Sequence, residues 1–209
     1  MIWAAILVTV LVGYFLGNHN GSVVTSRLVV NDDVRSHGSG NAGLTNFIRN
    51  YGVGSALYVI AIDGGKAVLA CLAGDMLLSA SGLGLEGRVL GGAAAMLGHV
   101  FPVLLGFKGG KGILSGLLIA LMMDWRIAVL ILGVFILVYV LTQYVSLSSI
   151  LAAAAFGAGF VVFHYDNLVV MISGLFMAAL AIFMHRSNIA RLVKGQESKT
   201  NLFGKGKKK

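Results

Sequence analysis

Three short polar segments interrupt an otherwise apolar chain, and their residue types are those that bind phosphate. The first, residues 38–52, reads GSGNAGLTNFIRNYG. Gly40 and Gly43 allow backbone N–H groups to converge on an anion, and Arg49 adds a bidentate positive group. A short helix that opens at Thr45 or Asn46 would direct its N-terminus at the same anion. The side chains that could donate further hydrogen bonds are those of Ser39, Asn41, Thr45 and Asn46. The alternative is an ordinary polar loop with turn glycines.

The second segment, residues 98–112, reads GHVFPVLLGFKGGKG and contains the only proline of the chain, Pro102. Lys108 and Lys111 flank a two-glycine turn that includes Gly110, and we predict that this turn binds substrate phosphate. It is not a P-loop, because that motif requires Ser or Thr where Gly112 stands. A solvated basic loop at a membrane surface is the alternative.

The third segment, residues 185–197, reads HRSNIARLVKGQE and follows the last apolar stretch. His185 and Asn188 are three residues apart, so they share one face of a helix. A basic helix beside the membrane is the alternative. Glu197 is the only carboxylate in the three segments. Together the segments favour anion binding, and nothing in them resembles a divalent metal cage.

An acid–base pair, Asp63 and Lys66, lies within an apolar stretch at a spacing of three residues. Charged groups in a membrane helix are costly to bury when they are unpaired. We therefore predict a structural ion pair that holds helices or loops together. A direct catalytic role is the less favoured alternative.

Membrane helices must position these segments. Of the 209 residues, 57% are hydrophobic and 11% are charged, and the mean hydropathy is +0.88. These values exclude an ordinary soluble domain, and the apolar residues are too widely spread for a cleaved signal peptide. A span needs about 20 apolar residues. The predicted fold is an all-α polytopic membrane protein of about seven helices, near residues 2–17, 53–74, 87–105, 112–123, 127–145, 149–163 and 168–184. Small residues at helical spacing, such as Gly91 and Ala95, are expected to pack these helices together.

The net charge of +8 reflects membrane orientation and not nucleic-acid binding, because aromatic residues are not interleaved with the basic ones. If the N-terminus is outside, thirteen of the sixteen basic residues fall in segments 18–52, 106–111, 146–148 and 185–209. These segments and the C-terminus are then cytoplasmic, and the three polar segments share one face. We predict one domain over residues 1–199 and a basic, disordered tail over 200–209.

The three segments together resemble those of the bacterial acyl-phosphate:glycerol-3-phosphate acyltransferases, small seven-span enzymes of the inner membrane. The resemblance rests on GSGNAGLTN with Arg49, on GHVFPV and FKGGKG, on HRSNIARL with GQE, and on Asp63-Gly-Gly-Lys66. It extends over essentially the whole chain. Two residues depart from the family pattern: Leu44 stands where alanine is usual, and Ser187 stands where glutamate is usual. The first reshapes the wall of the loop, and the second removes an acid.

The resemblance implies transfer of a fatty acyl group from acyl phosphate to the sn-1 hydroxyl of glycerol 3-phosphate, giving lysophosphatidic acid and phosphate, the first step of phospholipid synthesis. It implies no cofactor, and it implies acyl phosphate, glycerol 3-phosphate and membrane lipids as partners at the cytoplasmic face of a bacterial inner membrane. By the same resemblance, the expected catalytic residues are Ser39, Arg49, His185 and Asn188. The expected substrate-binding residues are Gly40, Asn41, Gly43, Thr45, Asn46, Lys108, Gly110 and Lys111, and the expected structural residues are Asp63, Lys66 and Glu197.

The proton of the attacking hydroxyl has three candidate acceptors: His185, His99 and a phosphate oxygen of the substrate itself. We favour the phosphate oxygen, with a neutral His185 binding glycerol 3-phosphate and with His99 deeper, orienting its loop. The competing function is a small transporter of a phosphorylated solute. A transporter predicts an inverted repeat and a site near the membrane midplane, and the sequence contains no internal repeat.

Overall fold

Long apolar stretches become helices in residues 1–199, the part of the chain that this computed structural model describes, and these residues contain ten α-helices and no strand. The helices are α1 (Ile2–Gly17), α2 (Gly21–Val29), α3 (Leu44–Tyr51), α4 (Ala56–Ser79), α5 (Gly84–Val100), α6 (Ile113–Met123), α7 (Trp125–Thr142), α8 (Val145–Phe163), α9 (Leu168–Met184) and α10 (Arg186–Val193). The predicted basic tail, residues 200–209, lies outside the described residues. The all-α fold that the composition predicts is confirmed.

Four helices of the described chain are long and apolar enough to cross a membrane: α4, α5 with the turn that follows it, α7 and α8. Two bent pairs are further candidates, α1 with α2 at 40° and α9 with α10 at 53°. Helix α6 has only 11 residues. At 1.5 Å per residue it is about 16 Å long, about half the thickness of a hydrocarbon core. By length and composition the described chain has four to six spans, and the number seven stays a prediction.

The observed connections differ from the predicted ones in two places. Residues 18–52, expected as one cytoplasmic segment, contain the two short helices α2 and α3. Residues 146–148, predicted as a connection, lie inside α8, and this prediction is wrong. The reason is that a helix can satisfy serine hydroxyls internally: Ser148 Oγ donates to the Tyr144 carbonyl at 2.9 Å.

Close contacts between α1, α4 and α5 depend on small residues. A Cβ atom on Gly74 of α4 would overlap the carbonyl oxygen of Gly87 on α5. In α1, Cβ atoms on Gly13 and Gly17 would likewise press on the backbone carbonyls of Gly91 and Ala95. Only small residues let helix backbones approach this closely, so the prediction that Gly91 and Ala95 serve packing is confirmed.

Helices α6 and α7 are joined through a single residue, Asp124, which ends the first and caps the second. Its Oδ1 atom accepts a hydrogen bond from the Arg126 backbone N–H at 2.8 Å. Helix α8 packs against both α7 and α9, around a buried core that includes Phe156, Phe160 and Met177. Helices α6 and α7 thus meet at this end, and away from it residues of both helices line the cleft described in the next subsection.

The two ends of the bundle differ in chemistry. One end, called the far end, carries the Asp75–Arg88 ion pair and a 2.7 Å hydrogen bond from Asn167 Nδ2 to Glu86 Oε1. Exposed aromatic residues, which are enriched at membrane interfaces, are found there at Trp3, Trp125 and Tyr165. The opposite end, the site end, gathers the three polar segments around one cleft. The prediction that these segments share one face is confirmed.

Candidate active site

The glycine-rich loop, residues 38–46, takes its shape from backbone conformations that favour glycine. Gly38 and Gly40 have left-handed φ angles of +58° and +68°, which residues with a Cβ atom rarely adopt. Helix α3 begins at Leu44, next to the predicted start, with Gly43 as its N-cap. The N-terminus of α3 therefore belongs to the loop.

Asn46 organises this loop from within. Its side chain is buried, and its Oδ1 atom accepts a hydrogen bond from the Ser39 backbone N–H at 3.0 Å. Its Nδ2 atom donates to the carbonyls of Val34, His37 and Asn41 at 3.0, 3.1 and 3.1 Å. These bonds commit the amide to the loop, so the geometry gives Asn46 a positioning role. Its direct contact with substrate stays a prediction.

A buried group of three side chains on α4 and α5 lies close to the loop. Lys66 Nζ is 2.7 Å from Asp63 Oδ1 and 2.8 Å from His99 Nδ1. The same ammonium donates to the His19 carbonyl at 2.9 Å, and the Gly21 N–H donates to Asp63 Oδ1 at 2.9 Å. The charges of Asp63 and Lys66 are thus paired and hydrogen-bonded, as buried charges must be. Together they tie α4 and α5 to the break between α1 and α2.

Only one of the two lysines in the second polar segment lines the cleft. Lys111 lines the cleft, and its Nζ donates to Asn188 Oδ1. Lys108 is exposed on the turn and does not line the cleft. Gly110 lies behind the wall, where its N–H donates to the His99 carbonyl at 3.1 Å and a Cβ atom would overlap the His99 ring. The substrate contacts expected of Lys108 and Gly110 stay predictions.

His185 and Asn188 stand where α9 bends into α10. His185 Nδ1 is 2.8 Å from the Ala181 carbonyl oxygen. Because a carbonyl only accepts, Nδ1 carries the proton and Nε2 is left as a hydrogen-bond acceptor. Asn188 Nδ2 donates to Glu197 Oε1 at 2.7 Å, and Arg191 Nε donates to Glu197 Oε2 at 2.6 Å. Glu197 thereby holds the chain that follows α10 against the cleft.

Two groups in the cleft have pKa values displaced toward their neutral forms. Burial lowers the pKa of His185 to about 4, so its imidazole is neutral at neutral pH. Burial, together with the positive charge of Arg191, lowers the pKa of Lys111 to about 8. The Lys111 ammonium therefore loses its proton just above neutral pH, whereas an exposed lysine does so near pH 10.4.

These groups line one cleft of about 890 Å³ with two chemically different ends. The polar end comprises the glycine loop, Arg49, Lys111 and the third segment. The other end lies between α6 and α7 and is apolar, with walls formed by Ile113, Leu114, Leu117, Ile131, Leu132 and Phe135. A cleft that is cationic at one end and apolar at the other suits a ligand with an anionic head and a hydrocarbon chain.

The structure brings most of the predicted site residues to this cleft. Those that line it are Ser39, Gly40, Asn41, Gly43, Thr45, Asn46, Arg49, Asp63, Lys111, His185, Asn188 and Glu197. Lys66, Lys108 and Gly110 are absent from the lining. Two buried asparagines in the break between α1 and α2, Asn18 and Asn20, belong to none of the three polar segments. The polar run Asn18-His19-Asn20 directly after an apolar span is the signal that marks them, because polar groups at such a position need buried partners or water.

Comparison with known proteins identifies one family over nearly the whole chain. The family model described as glycerol-3-phosphate acyltransferase matches residues 7–195. A glycerol-3-phosphate acyltransferase of Thermoanaerobacter sp. (strain X514) is 38% identical over 193 residues, which cover 92% of this chain and 94% of the relative. A glycerol-3-phosphate acyltransferase of Prochlorococcus marinus (strain MIT 9312) is 36% identical over 197 residues, 93% of this chain and 98% of the relative.

Two solved structures share the fold. The crystal structure of PlsY (YgiH), an integral membrane glycerol 3-phosphate acyltransferase, in its glycerol 3-phosphate form matches with a TM-score of 0.84 and 31% identity. That match covers 95% of this chain and 99% of the other. The lysophosphatidic acid form of PlsY matches with a TM-score of 0.81 and 29% identity, covering 94% of this chain and 96% of the other.

Proposed function

The chain belongs to the glycerol-3-phosphate acyltransferase family, and on that premise we propose that it transfers a fatty acyl group from acyl phosphate to the sn-1 hydroxyl of glycerol 3-phosphate. The products are lysophosphatidic acid and inorganic phosphate, and the reaction is the first acylation of phospholipid synthesis. We place the protein in a bacterial inner membrane with its cleft open to the cytoplasm.

The two-ended cleft is the observation that carries the choice of donor. An acyl phosphate presents a hydrocarbon chain, a carbonyl and a phosphate in succession. The cleft presents apolar walls on α6 and α7 and then a glycine loop with cationic side chains beside it. The HxxxxD motif of other glycerol-phosphate acyltransferases does not occur, because no aspartate lies five residues after any of the five histidines. These features support acyl phosphate as the direct donor.

Each substrate has a place in this arrangement. The acyl-phosphate head lies on residues 40–46, where glycines leave backbone groups accessible, and the acyl chain lies between α6 and α7, open to lipid. Glycerol 3-phosphate lies among the remaining polar groups of the cleft, which are Ser39, Arg49, Lys111, His185 and Asn188, and Lys108 adds positive charge from the exposed turn outside the lining. Lys111 is assigned to the second of these regions because it lines the cleft and its ammonium donates to Asn188.

The chemical step forms one bond and breaks another at the acyl carbon. The sn-1 hydroxyl oxygen attacks that carbon, the bond from the carbon to the phosphate oxygen breaks, and phosphate leaves with the electron pair. Acyl phosphate is a mixed anhydride with a good leaving group, so positioning and charge stabilisation supply most of the catalysis.

The hydroxyl proton passes to a phosphate oxygen of the acyl phosphate and leaves with it. Burial lowers the pKa of His185 to about 4, so its imidazole is a weak base. The phosphate oxygens of the acyl phosphate lie next to the reacting carbonyl and need no further residue to accept the proton. His185 Nε2 instead accepts a hydrogen bond from glycerol 3-phosphate and orients it.

The test uses the purified protein in detergent with glycerol 3-phosphate and one donor at a time. Palmitoyl phosphate is expected to give equimolar lysophosphatidic acid and inorganic phosphate, and omission of glycerol 3-phosphate measures background hydrolysis. Palmitoyl-CoA and palmitoyl-acyl carrier protein are expected to give no product. Formation of lysophosphatidic acid from palmitoyl-CoA without phosphate release would overturn the donor assignment.

A further inference from the structure

The break between α1 and α2 contacts the glycine loop, although no sequence motif includes it. Asn20 in this break is 1% exposed. Its Oδ1 atom accepts a hydrogen bond from the Val23 N–H at 3.0 Å and so caps α2. Its Nδ2 atom donates to the Ala42 carbonyl at 2.9 Å. The two partners fix the orientation of the amide, because a backbone N–H only donates and a carbonyl only accepts.

Ala42 lies at the centre of the loop, between the left-handed Gly40 and the N-cap Gly43. Asn46 holds one side of this loop through Ser39 and Asn41, and Asn20 holds the other side through Ala42. The carbonyl of Ala42 and the N–H of Gly43 share one rigid peptide plane. The Gly43 N–H donates to the Asn41 carbonyl at 2.9 Å, and the Asn20 bond holds the other side of the same peptide group, so the two bonds together fix its orientation.

The break itself has other anchors. Lys66 donates to the His19 carbonyl, and the Gly21 N–H donates to Asp63. These bonds hold the chain on either side of Asn20 to α4 without the Asn20 side chain. Loss of the Asn20 donor therefore loosens the loop at Ala42, while the Asn46 bonds and the helices stay in place.

We propose that Asn20 is a positioning residue for the acyl-phosphate site: it presets the peptide at Ala42 in the loop that receives the donor head. This inference rests on the proposed function, which places acyl phosphate on residues 40–46. If the loop already has its binding conformation, no binding free energy is lost to ordering it when acyl phosphate binds. Loss of the Asn20–Ala42 hydrogen bond is therefore expected to weaken the apparent affinity for acyl phosphate and to leave the affinity for glycerol 3-phosphate unchanged.

Two substitutions separate the helix cap from the loop contact. Asn20→Asp and Asn20→Ser keep an oxygen that caps α2, since both residues are good N-caps, but neither keeps the amide donor that bonds Ala42. Asn18→Ser is the matched control. Asn18 is also buried, but it bonds the Leu104 N–H and the Tyr14 carbonyl, not the loop.

The measurement is steady-state kinetics with palmitoyl phosphate and glycerol 3-phosphate varied separately. Asn20→Ser is expected to raise KM for palmitoyl phosphate about tenfold, the effect of one lost hydrogen bond, and to leave KM for glycerol 3-phosphate unchanged. Asn18→Ser is expected to leave KM for palmitoyl phosphate unchanged. Equal rises in both KM values for Asn20→Ser, or no rise in either, would overturn the inference.

Hydrogen–deuterium exchange provides a readout that does not depend on activity. The peptide covering residues 38–46 is expected to exchange faster in Asn20→Ser than in the wild type, and at the wild-type rate in Asn18→Ser. Unchanged exchange in Asn20→Ser would also overturn the inference. If wild-type protein made no lysophosphatidic acid from palmitoyl phosphate, the proposed function would fail, and the exchange experiment would still test the contact.

Discussion

At the scale of single residues, the charge of Lys111 is the feature most sensitive to pH. Its pKa is lowered to about 8, chiefly by burial, so the positive charge is present below pH 8 and is lost above it. Glycerol 3-phosphate, with a second pKa of about 6, keeps the same charge across that range. We expect kcat/KM for glycerol 3-phosphate to fall as pH rises through 8. Lys111→Arg, which stays charged, is expected to move this fall to higher pH; the same alkaline limb in the variant would refute the assignment.

Substitution of His185 tests whether its imidazole or the substrate phosphate accepts the hydroxyl proton. Loss of a general base costs about 10²–10⁴ in rate, whereas loss of an orienting hydrogen bond mainly weakens binding. Since burial keeps the imidazole neutral, we expect His185→Gln to raise KM for glycerol 3-phosphate and to retain turnover at saturation. A thousandfold loss of kcat at unchanged KM would identify His185 as the base instead.

Arg49 and Lys108 are two cations of the polar segments with different positions. Arg49 lines the cleft and Lys108 does not. We expect Arg49→Ala to lower kcat by about 10²–10³, the cost of one lost charge-stabilising donor. Arg49→Lys is expected to restore part of it, because the charge returns without the guanidinium fork. Lys108→Ala is expected to raise KM for glycerol 3-phosphate and to spare kcat. Equal, mild losses in Arg49→Ala and Lys108→Ala would indicate a diffuse surface potential and not a site.

At the scale of helices, the contact between α4 and α5 tolerates no added atom at Gly74. We expect Gly74→Ala to destabilise the protein by about 1–3 kcal/mol, as overpacking does, and to lower its melting temperature in detergent. Gly133→Ala is the matched control in α7, where a Cβ atom would meet nothing within 4 Å. Its helix propensity should leave stability unchanged or slightly higher. Equal melting temperatures for the two variants would contradict the packing account.

The sequence predicts helices best where apolar runs are uninterrupted. The predicted stretches 2–17 and 168–184 coincide with α1 and α9. Helix α4 continues past the predicted end at residue 74 to Ser79. The polar residues there have partners that only the folded chain supplies: Asp75 pairs with Arg88 of α5, and Ser79 Oγ donates to the Asp75 carbonyl at 2.6 Å.

For the site, the sequence predicts which residue types take part but not the directions in which their side chains point. Glycines, amides and cations in three segments predict a phosphate site, and the structure gathers the segments around one cleft. Spacing alone does not show that Lys111 enters the cleft while Lys108 stays outside, or that Asn46 turns into its own loop. The direction of Lys111 depends on Asn188, which is distant in sequence. The direction of Asn46 depends on how the backbone of residues 34–41 folds around it, which the residue types do not reveal.

At the scale of the whole molecule, the account requires one cleft on one side of the membrane. Thirteen of the sixteen basic residues lie in the segments predicted to be cytoplasmic, and the structure puts the three polar segments at the site end. The exposed Ser81 lies at the far end, in the turn between α4 and α5. Ser187 is exposed at the site end and lines the cleft. These two serines therefore probe opposite faces.

Single-cysteine labelling of these two serines tests the central claim most directly. Ser187→Cys and Ser81→Cys are made in a Cys71→Ala background and treated with a membrane-impermeant maleimide in inside-out vesicles. We predict that Ser187→Cys is labelled, loses acyl transfer from palmitoyl phosphate, and is protected by glycerol 3-phosphate. Ser81→Cys should be labelled only from the opposite side and remain active. Labelling of Ser187→Cys only in right-side-out vesicles, or labelling without loss of activity, would contradict a cytoplasmic cleft that performs the reaction.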